Sequence, residues 1–271
     1  MEKTGTVIII KGKQGSGKNA AFDVFNRYVL GPNLSLTTPR MDLITGRFNS
    51  IRQSMIMCVL DEAVDNSDRA VMIKFKNLIT ADEVQIEYKG KEPVTLSDFC
   101  NYIVTSNNDF ASFIEESDRR SLCLETNNMM IGNRSYFNRY WAALDNINAG
   151  KHIFHWLVNH VTIDDGWHPQ DTPQTSYKQE LKQLQAATPI KFLIDCLERL
   201  TELDDKNVYE MPMKQLFCNF IEFCNAQHHK TMSMKAFSLI VKPFIQERKS
   251  HGILLKCYSK EILEQSLRSY L

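Results

Sequence analysis

The spacing of apolar positions changes once along the chain, and that change divides it. Up to about residue 130, short apolar runs of strand length alternate with stretches of helical period. Thr6–Ile10, Ile56–Leu60, Tyr102–Thr105 and Ser121–Leu124 read as buried strands, and Leu34–Leu36 as a further short one. Asn19–Leu30 carries Ala21, Phe22, Val24, Phe25, Tyr28 and Val29 on one helical face and is stopped by Gly31-Pro32-Asn33. Asp68–Leu78 has the same period. Val84, Ile86 and Tyr88 alternate with Gln85 and Glu87, as on a half-exposed strand. Lys89-Gly90-Lys91 then reads as a turn, and Val94–Leu96 as the returning arm of a hairpin. Strands alternating with helices predict an α/β fold around a parallel central sheet.

After Tyr136 the period is helical. Trp141–Val161 reads as two helical stretches broken at Gly150, and Asp164–Pro173 as a polar linker. Residues 176–187, 190–203, 213–227 and 233–247 read as helices, and Gly252–Tyr258 as a strand or wing. The expected organisation is a core over 1–135, a helical connection over 136–170 and a mainly helical, winged-helix-like C-terminal domain over 171–271.

Charge narrows the functional classes. The chain holds 32 basic and 32 acidic residues, so a strong global field for nucleic acid is excluded. A nucleic-acid site would have to be a local patch, or one assembled from several copies. The seven cysteines include no CxxC pair and read as reduced thiols. Cys218, Cys224, His228 and His229 form the tightest group, but a six-residue spacing does not share a helix face, which favours buried structural cysteines over zinc. His152 and His155 read as ordinary helix histidines. There is no signal peptide and no apolar stretch of the ~18 residues that a membrane span needs, so a cytoplasmic protein without a membrane partner is expected.

The candidate chemistry starts at Gly12-Lys13-Gln14-Gly15-Ser16-Gly17-Lys18-Asn19, which fits G-x-x-x-x-G-K between a strand and a helix. Glycines let peptide N–H groups turn around a polyphosphate, and the following helix N-terminus adds partial positive charge. Gly12, Gly15, Ser16, Gly17, Lys18 and Asn19 are therefore expected to bind ATP. Asn19 departs from the usual Ser or Thr hydroxyl, and its amide oxygen is the candidate ligand for Mg2+ there. Asp61 and Glu62 end an apolar strand. The aspartate is placed to hold Mg2+ and the glutamate to deprotonate an attacking water. Asn107 ends the next strand, where an amide can contact the γ-phosphate. Arg119 and Arg120 precede the last strand, and one of them suits a neighbouring subunit's phosphate; the sequence does not say which. Lys89 and Lys91 flank the hairpin tip, where repeated copies would make a basic collar.

The order of these pieces (Lys18 loop, Asp61-Glu62, lysine hairpin, Asn107, arginine pair) resembles the superfamily 3 helicases of viruses and phages, most of all the motor of primase-helicases. Lys76–Thr80, Glu87–Lys91, Ile103–Asn107 and Asp118–Arg120 carry the likeness, which covers roughly residues 5–130. It implies an AAA+ ATPase core with ATP and Mg2+ bound between subunits of a homo-oligomer, such as a hexameric ring. It also implies translocation on single-stranded DNA and a primase or polymerase as a possible partner. In that family's terms Lys18 binds phosphate, Asp61 holds Mg2+, Glu62 activates water and Asn107 senses the γ-phosphate. Arg119 or Arg120 acts in trans, and Lys89 or Lys91 grips the DNA backbone. Upstream ring-closing helices of that family are not found here, so either a fragment of a larger replication protein or a compact phage-type protein that leans on partners is expected. An ATP-binding ring that holds or loads DNA without unwinding it is the alternative, and a small-substrate kinase is disfavoured.

Overall fold

The computed structural model describes residues 3–62, 69–108, 114–115, 117–146, 148–205 and 207–271. They form two compact units, one of residues 1–114 and 118–181, the other of residues 115–117 and 182–271.

The first unit is built on a five-stranded parallel sheet. Its strands are β1 (Val7–Lys11), β2 (Ser35–Thr38), β3 (Met57–Asp61), β6 (Asn101–Ser106) and β7 (Ser121–Glu125), in the order β2-β3-β6-β1-β7. Ile9 lies opposite Val104 on one side and Cys123 on the other, and Val59 lies opposite Ile103. All five residues sit where a parallel sheet is covered on both faces, which is why these strands read as unbroken apolar runs. The order matters for function. β6 lies between β1 and β3, so the ends of all three strands meet at one edge of the sheet. A separate hairpin pairs β4 (Glu83–Ile86) with β5 (Val94–Ser97) antiparallel.

The helices α1 (Ala20–Val24), α2 (Asp42–Thr45) and α3 (Arg69–Thr80) belong to this unit. So do α4 (Arg134–Leu144) and α5 (Ala149–His160), while the division between the units falls within α6 (Ser176–Gln185), after Leu181. The core joins Val7, Ile9, Leu60 and Val104 to Phe75 and Ile79 of α3, with the Phe75 and Tyr102 rings edge-on at 5.2 Å. The expected helix after the glycine loop is present, but its second half, Phe25–Leu30, is wound as a π-helix.

Two expectations are corrected. The break between α4 and α5 falls before Ala149, and Gly150 lies inside α5. A Cβ there would lie 1.9 Å from the Tyr28 carbonyl oxygen, so the glycine serves close helix packing rather than a stop. The half-exposed strand ends at Ile86, leaving Tyr88 in the turn.

The second unit contains α7 (Thr188–Glu202), β8 (Tyr209–Pro212), α8 (Met213–Ala226), α9 (Met234–Val241), β9 (Gln246–Ser250), β10 (Ile253–Tyr258) and α10 (Lys260–Ser266). Phe192, Phe220 and Phe237 form its aromatic centre, with the last two stacked at 4.5 Å. The strands form an antiparallel sheet in the order β8-β10-β9. The helix expected over 233–247 therefore stops at Val241, because Gln246–Ser250 pairs with β10. Cys224 is buried in α8 but Cys218 is exposed, against the expectation of buried thiols. Among the described residues no group of three or more His, Cys, Asp or Glu is placed to hold a metal ion. No described helix is long and apolar enough to cross a membrane.

Candidate functional site

The Gly12–Lys18 loop leaves the carboxyl end of β1, the position at which open parallel sheets bind ligands. Gly12 N–H donates to the Ser106 carbonyl at 3.0 Å, tying the loop's first residue to the end of β6. A Cβ on Gly12 would lie 2.2 Å from Thr126 Oγ1, so no larger residue fits there. Thr126 follows β7 and donates to Ser16 Oγ at 2.9 Å, which holds the loop from its other side. Gly15 and Gly17 have φ of +80° and +83°. Left-handed residues in a turn bring successive peptide N–H groups together into an anion-sized concavity.

Lys18, Glu62 and Asn107 come together although they are far apart in sequence. Lys18 Nζ donates to Glu62 Oε1 at 3.2 Å and to Asn107 Oδ1. Asn107 Nδ2 donates to the same Glu62 oxygen at 2.6 Å. Insertion of β6 between β1 and β3 produces this triangle, because it sets the Asn107 amide between the lysine and the carboxylate. The Lys18 side chain is 8% exposed and that of Glu62 is 53% exposed, so the lysine is enclosed while the carboxylate opens to solvent. Glu62 has φ +53°, a left-handed conformation that costs a residue with a Cβ about 1–2 kcal/mol. Its N–H donates to the Thr105 carbonyl at 2.8 Å, which holds the turn in place.

The candidate metal ligands lie beside this triangle. Asp61 Oδ1 accepts a 2.7 Å hydrogen bond from Thr105 Oγ1, which fixes the carboxylate and leaves its second oxygen for another partner. Asn19 Oδ1 is buried and has no hydrogen-bond partner among the described residues. A buried amide oxygen without a donor is a cost that a cation would remove, so Asn19 and Asp61 fit a hard, oxygen-preferring ion. Asp23, one turn beyond Asn19, has its carboxyl pushed up by burial and then by the nearby Asp61 charge, while Arg27 opposes the shift.

Several residues at the site gave no signal in the sequence. A cleft of about 280 Å³ beside the loop is lined by Lys18, Asn19, Asp23, Phe137 and Trp141. The Phe137 ring packs on Gly17 so closely that a Cβ there would lie 2.9 Å from it. Tyr140 donates to the Ala20 carbonyl at 3.1 Å, and Trp141 lies under the Arg27 guanidinium at 5.9 Å. The aromatic face of α4 is thereby held against α1, giving the loop one apolar wall. The aromatic content of 134–144 was visible in the sequence, but its target was not.

The remaining expected residues lie elsewhere. Lys89 and Lys91 are exposed in the turn between β4 and β5, where Gly90 has φ +75°. Lys91 Nζ lies 5.6 Å from the Tyr88 ring centre. Asn49 fixes the base of this hairpin. Its Nδ2 donates to the Gln85 carbonyl at 3.0 Å and its Oδ1 accepts from Glu87 N–H at 2.9 Å, so one side chain stands in for a strand neighbour. Arg119 is exposed and Arg120 half-buried, just before β7. Arg120 lies level with the start of β1, its carbonyl accepting from Val7 N–H. Five residues of parallel strand separate that level from Lys11, about 16 Å at ~3.3 Å per residue. Arg119 and Arg120 therefore belong to the opposite edge of the sheet from their own chain's loop.

A family of unknown function, DUF5906, matches residues 10–120, which spans the loop, Asp61, Glu62, Asn107 and the arginine pair. The chain is 31% identical over 134 residues to a DNA primase-polymerase of Nitratiruptor phage NrS-1, across 48% of this chain. It spans only 18% of that relative's length. Two apo structures of the NrS-1 C-terminal region share the fold at 20% identity, with TM-scores of 0.65 and 0.62. Each alignment covers 95% of this chain and 67% of the other.

Proposed function

We propose that this chain is the ATP-hydrolysing motor of a phage-type DNA replication protein, with an AAA+ P-loop core of the superfamily 3 helicase kind. The observation that carries the reading is the meeting of Lys18, Glu62 and Asn107 at the adjoining ends of three strands. A lysine on a glycine loop, a carboxylate and a strand-end amide are the groups needed to hold a γ-phosphate and aim a water at it. The likeness to a phage primase-polymerase supports a place in DNA replication alongside a primase or polymerase.

In this reading the substrate is ATP, and its phosphates occupy the concavity of Gly12–Lys18. Lys18 exchanges its contact with Glu62 for the β- and γ-phosphate oxygens, which frees the carboxylate. Glu62 then accepts a proton from the attacking water, and Asn107 holds that water or a γ-phosphate oxygen through its amide. Asn19 and Asp61 hold Mg2+, which when bound neutralises charge on the phosphates. Phe137 and Trp141 give the base an apolar wall on the far side of the loop. Lys89 and Lys91 contact the backbone of single-stranded DNA, and assembly into a ring multiplies those contacts.

The test is ATP hydrolysis with and without single-stranded DNA, for wild type and Glu62→Gln. DNA-stimulated turnover that falls at least ~100-fold in the variant, with ATP binding retained, is the expected result. Equal turnover by Glu62→Gln would overturn the assignment. The unpartnered Asn19 amide, in place of a hydroxyl, favours one second reading: an ATP-binding ring that holds DNA without unwinding it. Tight ATP binding with no wild-type turnover would select that reading.

A further inference from the structure

The second unit concentrates charge that the nucleotide site does not use. The whole chain is neutral, yet residues 228–258 contain six lysines and arginines against one carboxylate, Glu247, a net charge of +5. Lys256 is buried and pairs with Glu247, and Arg248 pairs with Glu210 at 2.8 Å. Lys230, Lys235, Lys242 and Lys249 remain exposed, with no carboxylate at ion-pair distance among the described residues.

Lys235 lies on α9 and Lys249 on β9, while Lys230 precedes α9 and Lys242 follows it directly. Helix α9 buries Phe237 and Val241 completely and exposes Lys235 and Leu239 on its outer side. Ser233 Oγ accepts from Ala236 N–H and caps its first turn. Only residues 242–245 separate α9 from β9. The β9–β10 hairpin turns at His251-Gly252, with φ of +48° and +81°, the paired left-handed residues of a tight two-residue turn. Lys249, His251 and Ile253 are exposed around that tip. The element order α7, β8, α8, α9 and the β9–β10 hairpin, with sheet order β8-β10-β9, is that of a winged helix, and α10 follows it.

We propose that α9 and the β9–β10 hairpin form a second nucleic-acid surface, one that grips double-stranded DNA. A helix with side chains is ~10–12 Å across, and the major groove is ~12 Å wide. In this arrangement α9 enters the groove, Lys230, Lys235 and Lys242 meet the flanking phosphates, and Lys249 reaches the backbone beside it. A single strand is the poorer fit, because single-strand surfaces stack bases on exposed aromatic rings. Every aromatic ring of residues 230–258 is buried or half-buried: Phe237, Phe244 and Tyr258. Lysine contacts to phosphate carry no sequence code, so binding is independent of sequence.

The experiment measures binding of the full chain to a short random-sequence duplex, without nucleotide, across a salt series. Wild type is compared with the triple variant Lys230→Ala, Lys235→Ala, Lys249→Ala and, separately, with Lys18→Ala. The expected result is affinity that falls with salt, a roughly tenfold or greater loss in the triple variant, and a salt slope shallower by about 2.7. Lys18→Ala should bind the duplex as wild type does, so loss of the nucleotide reading would leave this result intact. An unchanged melting temperature of the triple variant confirms that its fold is kept, since all three side chains are exposed. Equal duplex affinity and slope in wild type and triple variant would overturn the proposal. So would no wild-type duplex binding together with self-association through Leu239 and Ile253, lost in Leu239→Ala, Ile253→Ala; that outcome assigns the surface to a protein partner.

Discussion

At the scale of single residues, Glu62 concentrates the tension between stability and function. It is one of four described residues other than glycine with a left-handed backbone. Such strain persists where surrounding contacts over-determine it, here the Thr105 carbonyl and the Lys18–Asn107 pair. Glycine adopts this conformation without cost, so Glu62→Gly should stabilise the fold. The ion pair lost with the carboxylate is open to solvent on the Glu62 side, and the enclosed Lys18 keeps its bond to Asn107, so that loss is the smaller effect. The expected gain is about 1 kcal/mol, or roughly 2–4 °C in melting temperature, together with loss of ATP turnover. A lower melting temperature in Glu62→Gly would show that the left-handed turn stores no strain. Legibility at this scale was uneven. Lys18, Asp61, Glu62 and Asn107 stand out because each follows an apolar strand, and a parallel sheet brings such positions to one edge. Thr126, Phe137 and Trp141 reach the same place through long-range packing, which no local spacing records, while Asp23 and Thr105 lie beside expected site residues without a pattern that marks them.

At the scale of elements, strands buried on both faces were legible, and so was the exposed β5 through its hairpin turn, but β8 and β9 were not. Gln246–Ser250 is almost wholly exposed and carries no apolar position, so its charged run merged with the preceding helix until pairing with β10 claimed it. The central sheet's edge was equally silent. β7 ends the sheet, and side chains of α6 and the segment before it cover its outer carbonyls. Lys178 Nζ donates to the Ser121 carbonyl at 2.7 Å and Thr175 Oγ1 to that of Cys123. A covered edge cannot template pairing with another chain. A buried ionic cluster lies just before β6. Asp98 Oδ2 receives Lys3 Nζ and Arg52 Nη2, each at 2.7 Å, and Arg52 also donates to Tyr102 OH at 2.8 Å. All three charged side chains are at most 4% exposed, so removing the carboxylate leaves two buried cations unpaired. Asp98→Ala should cost about 3–5 kcal/mol, which lowers the melting temperature by roughly 10 °C or more. A change of only a degree or two by calorimetry would mean that water reaches and solvates the two cations.

At the scale of the whole molecule, the position of Arg119 and Arg120 bears on assembly. Both lie at the amino edge of the sheet, and the Lys18 loop lies at its carboxyl edge, about 16 Å along the strands. An extended arginine does not bridge that span, so any contact with a γ-phosphate has to come from a second copy. A head-to-tail contact that joined one copy's amino edge to the next copy's loop would close into a ring where its rotation allows, and would set the proposed nucleotide between subunits. Turnover would then depend on assembly, and two different defects could repair each other. Lys18→Ala loses its own site but still offers its arginines. The Arg119→Ala, Arg120→Ala double variant keeps its site but offers nothing to its neighbour. Each alone should be inactive. In a random mixture about a quarter of interfaces pair an intact site with intact arginines, and turnover should recover in that proportion. The measurement is ATP hydrolysis at fixed total protein as the ratio of the two variants is varied, with assembly followed by light scattering. A maximum at equal ratio is the signature of catalysis in trans. Flat, absent turnover across all ratios, with assembly intact, would rule out action in trans, and full turnover by the double arginine variant alone would leave the Lys18–Glu62–Asn107 triangle to act without them.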